Sequence, residues 1–452
     1  MNRDKMYYTI IGAARSGRAA ALLAKSLGHD VFVSELKPEN ECKEASGQLK
    51  DAGIDAEFGA NTEKALEKAD CIITSPGVPR KAWVIEEADK RKIPVISELE
   101  FARQFCPNNP LIAITGTNGK TTTTTLTAYI LNRAGKKALA VGNIGTPLSA
   151  VVSDLDLDTI LVVEVSSYQL DRIRDFRPDV GIILNITPDH LAYHGTLVDY
   201  AQTKWKTFSN QTEKDFVILN ADDAATLAVE THARGVKAFF SMSPVQYGAY
   251  AKDGKLVMRF PEHNKEEVIM QLDEIRLPGV HNVYNSMAAA LAARAFEVRN
   301  ENIRDSLMSF EGVEHRLEFV RTLDGVDYIN DSKATNVNAT WYALSSYSKP
   351  LVWIAGGRGD NNDYSSLDEL VKKNVKCVVA LGEEADAIFN HYSSMIRCVK
   401  VDSFESAVYK AKEFAEWGDI VLFTPACKSF DMFMNFEHRG EVFKQIVNNL
   451  LL

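Results

Sequence analysis

Residues 113–124 read AITGTNGKTTTT, a few β-compatible residues followed by a turn of small side chains, a lysine and a run of hydroxyls. A turn of this composition lets backbone N–H groups approach phosphate oxygens. Lys120 supplies a cation to them, and Thr121 offers its hydroxyl to Mg²⁺ at a helix N-terminus. The candidate loop comprises Gly116, Thr117, Asn118, Gly119, Lys120, Thr121 and Thr122. It is shorter than GxxxxGK[ST], because Ile114 stands where the first glycine of that pattern would be. The bland alternative is a glycine turn with a solvated lysine. The strand before it and the threonines after it favour a nucleoside triphosphate, ATP or GTP.

Other residues able to do chemistry fall at the ends of apolar runs. VVEVSSYQL puts Glu164 near the end of a strand-like run, a costly place for a carboxylate unless it meets a cation. NITPDHLAYHG closes a similar run with Asp189 and His190. A Mg²⁺ ion near the phosphates suits Glu164. For His190 that role competes with a packed or capping histidine, since magnesium prefers oxygen. Lys204 and Lys206 in YAQTKWKTF read, by themselves, as a solvated helix face. Asn282 and Asn285 in GVHNVYNSM either cap the alanine-rich helix that follows or present amides to a purine.

Towards the C-terminus, EHRLEF contributes Arg316, NDSKATN contributes Asp331 and Lys333, and TPACKSFDMFMNFEHRG contributes Ser429 and Phe436. A strand ending in Asp-Ser-Lys suits a phosphate or ribose contact, and closure of this part over a neighbouring nucleotide would exclude water from a reactive intermediate. Near the N-terminus, GAARSG resembles GxGxxG, but Ala14 replaces the glycine that lets a dinucleotide pyrophosphate come close. A redox cofactor is therefore disfavoured. With Glu35 and the TSPG turn at 74–77, the same strand ends suit a single nucleotide end, unless the turn is a plain strand-to-helix connection.

The scaffold that would position these groups is an alternation of strands and helices. YYTIIGA, HDVFVSE, DCIITSPG and IPVISE predict strands, and SGRAAALLAKSLG a helix capped at Gly28. A break at RQFCPNNP precedes a second series, PLIAITG, KALAVGN, TILVVEVSS, DVGIILNIT and DFVILNAD, which ends in a hairpin turning at Asp253-Gly254. After the helix NSMAAALAARAFEV and a boundary near FEGVEHR comes a third series, VDYIND, PLVWIAGG, VKCVVALG, IRCVKV and DIVLFTPA. Such alternation means parallel sheets with helices on their faces, and 452 residues suit roughly three domains. The net charge of −10 argues against nucleic acid as a partner. No run approaches the roughly 18 apolar residues of a membrane span, and the first residues lack a signal-peptide core, so a cytoplasmic location is expected. The six cysteines form no CxxC pair, which suggests neither a zinc site nor a disulfide framework.

Taken in order, TGTNGKTT, VEVSSYQL, NITPDH, GVHN, EHR, NDSKATN and TPACKSFD resemble the motifs of the Mur ligases. SPGVP together with ACKSFDMFMNFEHRG looks most like the branch that joins D-glutamate to UDP-N-acetylmuramoyl-L-alanine. The resemblance covers essentially the whole chain. It implies a Rossmann-like N-terminal domain for the UDP substrate (1–108), a central P-loop ATPase-like domain with a mostly parallel sheet (109–312), and a Rossmann-like C-terminal domain for the amino acid (313–452). The implied reaction consumes ATP, with Mg²⁺, through an acyl phosphate and releases ADP and phosphate in peptidoglycan precursor synthesis. The implied partners are small molecules alone, met by a monomer without membrane insertion.

The same resemblance implies roles for single residues. Ser16, Glu35 and Ser75 would meet the UDP end, and Asn143 matches a substrate-binding asparagine. Lys120 and Thr121 would hold the ATP phosphates and a first Mg²⁺, with Glu164, and His190 a second Mg²⁺. Lys204 matches a lysine carbamylated in this family, a change that turns a cation into a carboxylate-like metal ligand and reverses the solvated-face reading. Asn282 and Asn285 would meet adenine, Arg316, Asp331 and Lys333 ribose and phosphates, and Thr335, Ser429 and Phe436 D-glutamate. One position departs. In AGGRGDNNDYS the family often carries a lysine or arginine shortly after the glycine pair, where this chain has Asp360. Either Arg358 substitutes from a shifted loop or carboxylate recognition differs. The rival expectations are a ligase of the same superfamily for another amino acid, a regulatory ATPase without an acceptor, and an NAD-dependent oxidoreductase, the last weakened by Ala14.

Overall fold

The computed structural model describes residues 5–228, 233–260, 265–359 and 362–451, so Asp360 lies outside the described residues. Three sheets, all mostly parallel, organise the chain as three α/β domains. The first contains β1 (Tyr7–Ile11), β2 (Asp30–Glu35), β3 (Asp55–Phe58), β4 (Cys71–Thr74) and β5 (Val95–Ser97) in the order β3-β2-β1-β4-β5. Every pairing is parallel. A sheet covered on both faces needs apolar residues at successive positions. Ile10, Val33 and Ile73 accordingly pack on one side with Ala20, Ala24 and Leu49. Their neighbours Ile11, Phe32 and Ile72 pack on the other with Leu66, Val84 and Ile85. Strand order reverses between β1 and β4, the place where doubly wound sheets form a crevice beyond the carboxyl ends of their strands.

The helix Arg15–Ser26 after β1 is alanine-rich and buries Ala20, Ala21 and Ala24. It stops where Gly28 takes a left-handed conformation, with Gly28 N–H donating to Lys25 O at 3.0 Å and His29 N–H to Ala24 O at 3.1 Å.

The second sheet contains β6 (Leu111–Thr115), β7 (Ala138–Gly142), β8 (Ile160–Glu164), β9 (Val180–Ile183), β10 (Phe216–Asn220), β11 (Val236–Ser241), β12 (Gly248–Lys252), β13 (Lys255–Arg259) and β14 (Glu267–Gln271). Its order is β14-β13-β12-β11-β10-β9-β6-β8-β7, parallel from β7 to β12 and antiparallel for the last two pairings. Asp253-Gly254 makes the β12–β13 turn, both residues with positive φ, as a two-residue hairpin requires. The third sheet contains β15 (Glu318–Leu323), β16 (Val326–Asn330), β17 (Leu351–Gly356), β18 (Val375–Leu381), β19 (Arg397–Lys400) and β20 (Ile420–Phe423), ordered β15-β16-β20-β17-β18-β19, with only β15 antiparallel. It too is two-faced: Val352, Ile354, Val421 and Phe423 point to one core and Trp353, Leu422 and Ala380 to the other.

By its contacts the chain forms two compact bodies. One holds the first two sheets and runs to Glu274, with Tyr284–Met308 added; the other holds the third sheet and comprises Ile275–Val283 and Ser309–Leu452. Within the first body, a short helix, Glu98–Arg103, follows β5 and fastens the two sheets. The buried Glu100 carboxylate accepts backbone N–H groups from Arg174, Asp175 and Phe176 at 2.9, 3.0 and 3.0 Å. Glu98, with no exposed surface, accepts Ser149 N–H at 2.7 Å, and burial pushes its carboxyl up. No helix among the described residues is long and apolar enough to cross a membrane.

Replacing Glu100 with Ala would leave three amides without their acceptor. A loss of about 2–5 kcal/mol is expected, read as a lower midpoint for the first body in thermal or urea unfolding, with Glu100→Gln recovering part of it.

Candidate active site

Parallel strands deliver their carboxyl ends to one edge, and in the central sheet that edge carries the candidate groups. Pairing sets Ile114 beside both Glu164 and Ile182, Thr115 beside Ile183, and Gly142 beside Glu164. The phosphate-type loop after β6, Asn143 after β7, Glu164 at the end of β8 and the 184–190 segment after β9 therefore leave the sheet together.

The loop is held from below by that last segment. Thr117 N–H donates to Asn185 O and Asn118 N–H to Asn185 Oδ1, both at 2.9 Å. Thr117 Oγ1 donates to Thr187 O at 3.1 Å and lies 3.2 Å from the Tyr200 hydroxyl. Gly119 has φ +85° at the start of helix Lys120–Arg133, and a Cβ there would come within 2.3 Å of Asn285 Oδ1. Only glycine satisfies both conditions. Lys120 Nζ donates to Gly116 O at 2.9 Å and Thr117 O at 2.7 Å, neutral acceptors that an anionic phosphate would outcompete. The threonines that follow, Thr121 to Thr124, are buried, and Thr123 Oγ1 donates to Asn285 Oδ1 at 3.2 Å.

The solvated-face reading of Lys204, which the family resemblance already reversed, does not hold. Lys204 is 1% exposed, its Nζ donates to Gly116 O at 2.9 Å, lies 3.5 Å from Thr115 Oγ1, and sits 4.4 Å from the centre of the Tyr200 ring. The helix Leu197–Trp205 turns Tyr200, Thr203 and Lys204 inward, so this face is not solvated; Lys206, one residue past its end, is the more exposed lysine and donates to Asp171 O at 2.7 Å. Burial, reinforced by Lys120 and opposed by Asp189, holds the Lys204 ammonium well below its ordinary pKa. His190 lies beyond β9, in a left-handed conformation, with Tyr168 5.0 Å away between ring centres. Burial lowers its pKa; Asp189 opposes this, and Lys120 and Lys204 add to it.

Glu164 is 3% exposed, and its Oε1 accepts from Asn143 Nδ2 at 3.0 Å. A buried carboxylate here and the Thr121 hydroxyl are the oxygen donors that Mg²⁺ takes; the His190 nitrogen and an unmodified Lys204 amine are not. Among the described residues, the three-residue cluster with metal-ligand spacing is elsewhere, at Glu314, His315 and Glu441. There Lys444 already serves as counter-ion, ion-paired with Glu314, with Glu441 at 2.9 Å and with Glu318 at 3.3 Å.

In the first sheet, Ser75 Oγ donates to Gly12 O at 3.0 Å, across the β1–β4 crevice. A Cβ on Gly17 would lie 1.9 Å from Gly12 O, so this glycine lets the helix sit against the turn. Glu35 accepts Ala13 N–H at 2.6 Å and Lys37 N–H at 2.9 Å, so its carboxylate shapes the turn beside half-buried Ser16. Asn282 and Asn285 both lie inside the helix Val280–Ala295, which removes the capping alternative. Asn282, in the second body, donates to Pro278 O at 2.7 Å; Asn285 belongs to the first.

The second body gathers the C-terminal candidates. Asp331 Oδ2 accepts from Thr424 Oγ1 at 2.9 Å and Oδ1 from Leu317 N–H at 3.2 Å, and burial, opposed by Arg316, pushes its carboxyl up to about 7. Lys333 N–H donates to His315 O at 3.0 Å, and its Nζ stands 5.5 Å from the centre of the Phe436 ring. Thr335 N–H donates to Lys333 O at 2.9 Å. Buried Arg439, absent from the sequence reading, holds this arrangement: Nε donates to Ser332 Oγ at 3.0 Å, one terminal nitrogen to Ser332 O at 2.8 Å and the other to Cys427 O at 3.1 Å, two residues before buried Ser429. It falls three positions after Phe436 in EHRG, on the same helix face, a spacing that could have flagged it. Arg358 is paired in two-pronged fashion with Glu383 at 2.9 and 3.0 Å, so its charge is already matched.

A phosphate-type loop on a parallel sheet, with a carboxylate on the adjacent strand and a lysine buried against it, defines an enzyme that handles nucleotide phosphates. Family models for the Mur ligase middle domain and for the Mur ligase glutamate ligase domain match residues 114–293 and 315–427. The UDP-N-acetylmuramoylalanine–D-glutamate ligases of Salinibacter ruber and Chloroherpeton thalassium are 45% and 44% identical, over 98% of this chain and 98% and 97% of theirs. The UDP-N-acetylmuramate–alanine ligase structure from Thermotoga maritima shares the fold, with a TM-score of 0.60 at 19% identity over 98% of this chain and 99% of that one. The chain belongs to the Mur ligase family and is an ATP-dependent, amide-bond-forming ligase.

Two outcomes follow from this geometry. Gly119→Ala forces a Cβ into Asn285 and strains the turn, so ATP binding measured by calorimetry should weaken at least about tenfold while the fold survives. The raised Asp331 pKa means that the folded state binds its proton more tightly than the unfolded chain. Stability present at acid pH is thus lost as pH rises from the ordinary carboxylate value through about 7. The melting temperature of Asp331→Asn relative to the parent should accordingly rise between pH 4.5 and pH 7.5.

Proposed function

We propose that this chain joins D-glutamate to UDP-N-acetylmuramoyl-L-alanine at the expense of ATP, as a cytoplasmic monomer in peptidoglycan precursor synthesis. The observation that carries this reading is the full-length identity of 45% and 44% to relatives bearing that activity in their names. In this reading residues 1–108 form a Rossmann-like domain that takes the UDP end at Ser16, Glu35 and Ser75. Residues 109–312 form a P-loop-type domain for ATP, and residues 313–452 a Rossmann-like domain for the amino acid.

The L-alanyl carboxylate attacks the γ-phosphorus of ATP, ADP departs, and an acyl phosphate forms. The D-glutamate amine then adds to the acyl carbon, the tetrahedral intermediate expels phosphate, and an amide remains. Such phosphoryl transfer depends on positioning and charge neutralisation rather than on a nucleophilic side chain. Lys120 turns from its loop carbonyls to the phosphates; Asn143 orients the attacking substrate. Thr121 and Glu164 would be the oxygen donors for a bound Mg²⁺, which would supply charge neutralisation to the phosphates, and His190 and Lys204 would serve a second ion. A depressed amine pKa favours the neutral form of Lys204, the form that reacts with carbon dioxide to give a carbamate. Asn282 and Asn285 serve the adenine, Arg316, Asp331 and Lys333 the ribose and phosphates, and Thr335, Ser429 and Phe436 the amino acid.

Phosphate release from ATP should require both the UDP substrate and D-glutamate. L-Glutamate, L-lysine and no amino acid should give background; release with another amino acid would move the specificity, and release indifferent to acceptor would sink the ligase reading. Lys120→Ala should lower turnover by at least about 1,000-fold in a folded protein. Lys204→Ala should lose about 100-fold or more and partly recover with added short carboxylates, which would stand in for a carbamate.

A further inference from the structure

One guanidinium in the first body touches segments from both of its sheets. Arg80 follows Ser75 by five residues in the loop after β4. Its Nε and a terminal nitrogen donate to the two Asp171 carboxylate oxygens at 2.8 and 2.6 Å, and the same terminal nitrogen donates to Thr203 Oγ1 at 3.3 Å. Its carbon lies 5.2 Å from the centre of the Tyr193 ring, whose hydroxyl donates to Asp171 at 3.1 Å. Asp171 ends the helix Ser167–Asp171, which starts three residues after Glu164. Thr203 precedes Lys204 on its helix, and Tyr193 belongs to the short turn begun at His190. The Asp171 side chain is 9% exposed and that of Arg80 32%, so the pair is largely sheltered from solvent and salt.

We infer that Arg80 is a positioning residue: its fork fixes the loop carrying Ser75 against the segments carrying Glu164, His190 and Lys204, so that the UDP substrate and the phosphoryl-transfer groups keep one registry. The role rests on the ligase reading above. A planar fork that makes two parallel bonds and a third to a hydroxyl sets direction as well as distance, which an ammonium cannot do. Ser75 itself reaches across the crevice to Gly12, so a shift of this loop would also move the turn that closes on Glu35.

The test is steady-state kinetics of Arg80→Met and Arg80→Lys with each substrate varied in turn. The expected result for both is a KM for the UDP substrate raised about tenfold or more, with KM for ATP within about twofold. Unchanged KM values, an equal rise for all three substrates, or full rescue by lysine would overturn the role. Arg80→Met/Asp171→Leu removes both charges together and guards against a folding defect from a buried carboxylate left with Lys206 alone as counter-ion, 3.6 Å away. The double variant should keep the raised KM, and its return to the parent value would also overturn the role. If the parent enzyme releases phosphate without needing the UDP substrate, the ligase reading fails and this role with it. If the parent needs it and the variants match the parent, the role alone fails.

Discussion

Holding an amine out of water beside another lysine is the constraint around which the central sheet edge is arranged. Lys204 is tolerated because it is not left alone. A loop carbonyl accepts from it, an aromatic face lies beneath it, and its proton is loosely held. Each compensating group is also part of the loop or its support: Gly116 is in the loop, and Tyr200 bonds the Thr117 hydroxyl. Moving any of them disturbs both the lysine and the loop, so the phosphate-type turn, the 184–190 segment and the 197–205 helix behave as one piece.

Parallel strand order explains why so many distant segments of sequence meet at this piece. Strands β6, β7, β8 and β9 all end on one edge, and a βαβ connection returns the chain to the opposite edge each time. Chemistry then accumulates where the strands finish. The third sheet repeats the arrangement on its own: Asp331 after β16 and Thr424 after β20 are joined by their side chains, Gly356 at the end of β17 donates its N–H to Pro425 O, and Arg439 ties Ser332 to Cys427.

Much of this was readable before any coordinates. Apolar runs of four to seven residues marked the interior strands, since a strand covered on both faces must be apolar throughout. The strands that escaped notice were β3, β14 and β15 at sheet edges and β11, whose VKAFFS run is mixed; edge strands are half exposed and polar, as in DAEF and EFVRTL. The loop and its lysine were legible because glycine and lysine spacing has a local cause. The burial of Lys204 was not legible from its own residues, because a lysine is driven inward by what faces its helix, and only family resemblance pointed there. Arg80, Tyr200 and Arg439 went unnoticed for a related reason: their partners are more than 80 residues away or lie on another element. The capping alternative for Asn282 and Asn285 falls because the helix begins earlier than the alanine run suggested.

The two-faced cores carry an evolutionary implication. Trp353, Phe423 and their neighbours belong to core clusters of the second body, and the residues under the phosphate-type loop to a cluster of the first. Substitutions that remodel the loops after β17 and β20 can therefore accumulate without loosening the core beneath the phosphate-type loop. A lineage built this way can rework the loops over one interior while inheriting the other interior unchanged.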